Sequence, residues 1–151
     1  FKDKVVCEIG CMRGDLLLGM SYYAKECIGY EKEEKFIHDA LRRSYNCKTT
    51  IINKNIFKDA DNLKSYNPDC FYYWCGSSSM NQIFYYVREM FPKAIIAVAA
   101  DPRNKRGRRT SIEKDALNNL RLSEEKYLDL SFSYEEEGQR SDTFIINLFG
   151  V

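Results

Sequence analysis

The sequence predicts an α/β fold: an open, mostly parallel seven-stranded sheet with helices on both faces and a C-terminal antiparallel hairpin. Three observations carry this. Short β-rich runs alternate with helically patterned segments along most of the chain, the order that builds a parallel sheet through crossover helices. A glycine-bearing turn joins the first run to the first helix. The last two extended runs follow one another with no helical pattern between them.

Residues 5–9 form the first strand, and 15–24 a helix whose leucines and Met20 supply its buried face. The second strand covers 27–30. Residues 33–45 are helical, with Ile37 and Leu41 one turn apart and Arg42 and Arg43 near the C-terminal end, where cations favour the macrodipole. The third strand is 49–52, with an extension to Ile56 left open. A polar helix over 59–65 ends at Asn67-Pro68, because the residue before proline avoids the helical region. The fourth strand is 70–74. Ser77 to Ser79 can cap the next helix, in which Met80, Phe84, Val87 and Phe91 recur at helical spacing before Pro92. After a fifth strand at 94–99, Thr110 and Glu113 have capping-box spacing for a helix carrying Ile112, Ala116, Leu117 and Leu120. Residues 127–134 and 143–149, separated by the acidic turn 135–140, read as the closing hairpin.

A chain of 151 residues fits one compact domain spanning 1–151. It opens at Phe1, without methionine and directly against the first strand, so upstream residues are expected to be missing. The 23 basic and 22 acidic residues nearly cancel, so any electrostatic preference must be local. The six cysteines include no Cys-x-x-Cys pair and several fall in apolar runs, which suits reduced, buried thiols. With His38 as the single histidine, read here as a surface residue, no metal site is expected. No apolar run approaches the roughly 20 residues of a membrane span and no signal-peptide layout is present, so a cytoplasmic location and no membrane partner are expected.

The chemistry concentrates at strand ends. A strand running into Glu8-x-Gly10-x-x-x-Gly14 and then a helix lets a nucleotide-type ligand approach the backbone closely, although the pattern alone also fits a purely structural turn. Glu31, at the end of the second strand and roughly 20 residues on, stands where a ribose diol would be hydrogen-bonded; the bland alternative is a solvated charge in the run 31–35.

The order of these features resembles the seven-stranded class I S-adenosylmethionine-dependent methyltransferase family over essentially the whole chain. The resemblance implies S-adenosyl-L-methionine as cofactor. Glu8, Gly10 and Gly14, with Cys11 between them, would meet its methionine part, and Glu31 its ribose hydroxyls. It also implies a polar residue near the adenine. Asn55 is the best match, in place of the more usual aspartate and followed by apolar Ile56, though Asn55 also fits a simple turn residue. Met12 departs from the family, which often has a central glycine there and so a roomier turn. The three-glycine dinucleotide fingerprint is incomplete, which argues against a nicotinamide oxidoreductase.

The fourth strand ends in Tyr72-Tyr73-Trp74-Cys75-Gly76, where Trp74 either faces a sulfonium or belongs to the core. Methyl transfer is an in-line displacement that needs chiefly near-attack geometry. If the acceptor is protonated, Asp101 or Tyr73 is the candidate catalytic base. The loop at 103–109 carries Arg103, Lys105, Arg106, Arg108 and Arg109, suited to an anionic acceptor such as a nucleotide, nucleic acid or phosphorylated metabolite, or else to a solvated surface loop. The chain lacks both the Asn/Asp-Pro-Pro-aromatic motif of amino-group DNA methylases and the Pro-Cys nucleophile of cytosine-carbon methylases. The acceptor is thus left unidentified, and a catalytically inactive methyltransferase-like binding or scaffolding subunit stands as the alternative.

Overall fold

The structure, a computed structural model, describes residues 1–45, 47–75, 80–100, 126–134 and 140–149. The side chains described within these are those of 1–45, 47–73 and 82–97. Strands β1 (Val5–Ile9), β2 (Glu26–Glu31), β3 (Thr49–Asn53), β4 (Cys70–Cys75) and β5 (Ile95–Ala100) form a parallel sheet in the order β3-β2-β1-β4-β5. Between them run α1 (Asp15–Ser21), α2 (Glu34–Ser44), α3 (Ala60–Tyr66) and α4 (Met80–Met90), with a 3-10 turn at Ile56–Lys58. Two more strands, β6 (Lys126–Tyr134) and β7 (Arg140–Phe149), follow.

Period-two alternation sends the residues of each strand to two cores, one on each face of the sheet. Val5, Cys7 and Ile9 of β1 join Phe71, Phe84 and Val87 in the larger core, which α3 and α4 cover through Leu63, Phe84 and Val87. Val6 faces the other way and packs with Leu17, Met20, Cys27 and Cys70 beneath α1. Every residue of β1 is buried, which explains why its apolar run is continuous and not alternating. Cys7, Cys11, Cys27, Cys47 and Cys70 are free thiols.

The five parallel strands match the expected ones to within a residue or two at each end. Three local expectations are corrected. Helix α1 stops at Ser21 instead of reaching Ala24, with Leu17 and Met20 buried and Leu16 exposed. Strand β3 does not extend to Ile56, because the Asn55 side chain accepts the Phe57 N–H and starts a 3-10 turn. Leu41 does not face the core; it is 51% exposed. The buried stripe of α2 is centred on Ala40 and flanked by half-buried Phe36 and Ile37, which leaves Leu41 about 100° round the helix. That phase follows from close packing: Ala40 lies 3.7 Å from where a Cβ on Gly14 would sit. Arg43 reinforces the approach by pairing with Asp15 of α1.

Asn67 closes α3 in the left-handed conformation with φ 49°, immediately before Pro68. The Ser77 to Ser79 cap, the helix expected after Thr110 and the turn at 135–139 lie outside the described residues. His38 is exposed, as expected. Among the described residues no helix is long and apolar enough to cross a membrane.

Candidate cofactor site

The strand order reverses between β1 and β4: β2 and β3 lie on one side of β1, β4 and β5 on the other. In an open parallel sheet this switch point leaves a crevice beyond the carboxyl ends of the strands. A cavity of about 620 Å³ opens there, lined by Ile9 and Gly10 after β1, Tyr30 and Glu31 ending β2, Asn55 after β3 and Tyr73 of β4.

The turn after β1 is held by the neighbouring strand. The Gly10 and Cys11 N–H groups both donate to the Tyr30 carbonyl, at 2.8 and 3.1 Å, and Gly14 N–H donates to the Cys11 carbonyl at 2.8 Å. Gly10 and Gly14 both take φ +75°, the left-handed region that glycine enters without penalty. Met12 also adopts positive φ, 47°, and directs a 53% exposed side chain to the cavity rim. The turn therefore keeps a glycine-like path at Met12.

Glu31 explains how. Its carboxylate is buried and accepts the Met12 N–H at 2.9 Å through one oxygen and the Glu33 N–H at 2.8 Å through the other. The Met12 bond ties the glycine turn to the end of β2, and each oxygen keeps lone-pair capacity toward the cavity. Glu8 is buried one residue before the end of β1, and its Oε2 has no hydrogen-bond partner among the described residues. Burial pushes its carboxyl up to about 8; a hydrogen bond from the Leu17 amide lowers it, and the Glu31 charge raises it further.

At the opposite end of the cavity, the turn after β3 is cross-braced. Tyr30 Oη, Asn62 Nδ2 and Lys54 Nζ all donate to Asp59, at 3.0, 2.8 and 2.7 Å. Lys54 and Asn62 hold the Asp59 carboxyl below its usual range. Tyr86 of α4 donates to the Ile56 carbonyl at 2.8 Å and meets the Phe57 ring edge-on, with centroids 5.0 Å apart.

No family model matches the chain, and no curated protein matches it. Solved structures do. The chain superposes on a precorrin-6y C5,15-methyltransferase from Geobacter metallireducens with TM-score 0.69 at 15% identity, over 98% of this chain and 80% of that one. A precorrin-8w decarboxylase from Methanobacterium thermoautotrophicum gives TM-score 0.67 at 14% identity, covering 99% and 83%. An rRNA methylase from Streptococcus thermophilus gives 0.59 at 10%, covering 98% and 88%. The fold is that of the class I S-adenosylmethionine-dependent methyltransferases. At these identities the likeness is one of fold.

Within this methyltransferase fold the residues singled out from sequence separate into three groups. Gly10, Glu31, Asn55, Ile56 and Tyr73 come together on the cavity wall. Glu8, Cys11 and Gly14 are not on that wall: Glu8 and Cys11 are buried, Cys11 in the core beneath α1, and Gly14 packs against Ala40. Trp74 follows Tyr73 in β4, but its side chain lies outside the described residues, as do Asp101 and the cations Arg103, Lys105, Arg106, Arg108 and Arg109. Sequence reasoning missed Phe36, Lys54, Phe57 and Gln82, which also line the cavity. Lys54 and Phe57 flank Asn55 and were within reach of that motif, whereas nothing local distinguishes Phe36 from a helix core residue.

Gly29 was missed too. It pairs with Glu8 in the sheet, and a Cβ there would lie 2.3 Å from Leu17 and 2.7 Å from Cys11 Sγ. A glycine in a strand interior is the available signal for such a close approach.

Proposed function

We propose that this chain transfers a methyl group from S-adenosylmethionine to an acceptor that is anionic: a nucleotide, a nucleic acid or a phosphorylated metabolite. The observation that carries the reading is the convergence of Glu31, Gly10 and Asn55 on one cavity at the switch point. The donor set suits the cofactor. A buried carboxylate with spare lone pairs suits a vicinal diol, the Gly10 turn permits backbone approach, and Asn55 with Ile56 offers a polar and an apolar contact for a base.

The bound cofactor supplies an electrophilic methyl on a sulfonium. The protein's share is positioning. Glu31 orients the ribose end, the turn at 55–57 fixes the base end, and Tyr73 at the end of β4 borders the space where an acceptor would enter. Tyr73 or Asp101 is assigned as the base for a protonated acceptor, and Trp74 as an aromatic neighbour of the sulfonium. Arg103, Lys105, Arg106, Arg108 and Arg109 are assigned to steering the acceptor's negative charge.

We further read residues 1–151 as one domain with a seven-stranded sheet. In support, β7 runs antiparallel to β5 and β6 antiparallel to β7. The free thiols suit a reducing compartment such as the cytosol.

Equilibrium binding of S-adenosylmethionine and S-adenosylhomocysteine to the whole chain tests the cofactor assignment. Glu31→Ala is expected to weaken both by about tenfold or more, the loss of a charge-assisted hydrogen bond. Unchanged affinity would remove Glu31 from the ribose contact. Preferential binding of a nicotinamide dinucleotide would replace the reading with an oxidoreductase. Cofactor binding without turnover on a panel of nucleotides, RNA and phosphorylated metabolites would favour a scaffolding subunit.

A further inference from the structure

We infer that Asn55 reads the base of the bound nucleoside as a hydrogen-bond donor only, so that the cavity accepts a purine offering an acceptor at that edge and does not select for a 6-amino group. The inference rests on the cofactor reading above and adds to it the rule by which the base end chooses its ligand.

The orientation of the amide is fixed by chemistry. The Phe57 N–H lies 3.1 Å from one terminal atom of the Asn55 side chain, and an N–H requires an acceptor, so that atom is Oδ1. The other atom is therefore Nδ2, which has no hydrogen-bond partner among the described residues, on a residue that lines the cavity. Turning the amide over would break the bond that starts the 3-10 turn and set two donors against each other.

Neighbouring acceptors do not compensate, because each already accepts. The Asn55 carbonyl takes the Lys58 N–H at 2.9 Å. The Ile56 carbonyl takes the Tyr86 hydroxyl at 2.8 Å and the Asp59 N–H at 3.3 Å. The Asp59 carboxylate is shared by Lys54, Tyr30 and Asn62. What this turn presents to a base is thus Nδ2, a group with protons to give and no lone pair to offer. A ring nitrogen or a 6-oxo group satisfies it. A 6-amino group set against it would leave two donors unpaired, whereas an aspartate here would accept from that amine.

The test is competition between S-adenosylhomocysteine and S-inosylhomocysteine on the whole chain, measured by calorimetry for the parent and for Asn55→Asp. The substitution keeps an oxygen for the Phe57 N–H and changes only the outward group from donor to acceptor, so the turn is retained. The parent is expected to bind the two ligands within about threefold of each other, and Asn55→Asp to move the ratio toward the adenosyl ligand by about tenfold or more. Gln82→Ala, removing the other amide on the cavity wall, should leave the ratio unchanged. A parent that already prefers the adenosyl ligand tenfold, a ratio unmoved by Asn55→Asp, or a ratio set by Gln82 would each overturn the inference while leaving the cofactor reading intact. Failure of the parent to bind either ligand would overturn both.

Discussion

Glu8 is the residue whose environment departs most from what its side chain favours. A buried carboxyl with one orphaned oxygen, raised from 4.5 to about 8, is protonated in the fold at pH values where the unfolded chain holds it ionised. The linkage has a definite sign: this raised value contributes stability below about pH 4.5, and that contribution is lost as pH rises toward about 8. Glu8→Gln, a neutral amide of similar shape, should remove this part of the pH dependence. Urea unfolding at pH 5 and pH 8 is expected to show the variant gaining on the parent by on the order of a few kcal/mol at the higher pH. Parallel curves would exclude a buried, protonated Glu8. Gly29 makes a steric prediction at the same scale. Gly29→Ala would press a Cβ into Leu17 and Cys11, and should cost about 1–3 kcal/mol of overpacking in a denaturant titration. Because Cys11 belongs to the Gly10 to Gly14 turn, the same variant should also weaken cofactor binding.

The elements are held in position by polar ties that hydrophobic periodicity does not reveal. Arg88, near the end of α4, is buried and donates to the Pro92 and Ala94 carbonyls at 3.0 and 2.7 Å, fixing how the chain turns into β5. Its Nε and Nη2 find no partner, so the guanidinium is only partly satisfied. Arg88→Met keeps the aliphatic stem and strands two carbonyls. It is expected to lower stability by about 1–3 kcal/mol with cofactor affinity nearly unchanged, since Arg88 is not on the cavity wall. Thermal unfolding beside calorimetry would separate the two effects. Of the elements, β1, β2, β4 and α4 were legible in sequence because their apolar runs are dense and bounded by turn residues. The face of α2 was not, because the choice between Leu41 and Ala40 depends on how closely the helix approaches Gly14, a distance that spacing along one helix does not encode.

For the molecule as a whole, binding to the folded state alone must raise its stability by mass action. S-adenosylhomocysteine at a hundred times its Kd should add about 2.7 kcal/mol, seen as a rise in Tm that Glu31→Ala suppresses at the same concentration. On the proposed role of the loop after β5, replacing Arg106, Arg108 and Arg109 by glutamine should weaken use of an anionic acceptor and flatten its salt dependence while leaving cofactor affinity intact. Unchanged acceptor kinetics would show that the loop serves as solvated surface. Net charge is no guide to this, since 23 basic and 22 acidic residues cancel over the chain.

By itself the sequence determined the order of strands and helices, the glycine turn after β1, and the pair formed by Glu31 and Asn55 at strand ends. These are local properties: period, turn chemistry and distance from a strand terminus are all written along the chain. Only the tertiary structure decided that Glu31 also holds the Met12 amide, so that a non-glycine residue can follow a glycine's path. It likewise decided that Glu8 is enclosed without a full set of partners, and that the Asn55 amide turns its donor outward. Each of these depends on which groups compete for the same lone pair or proton, and such competition exists only once distant segments are packed together.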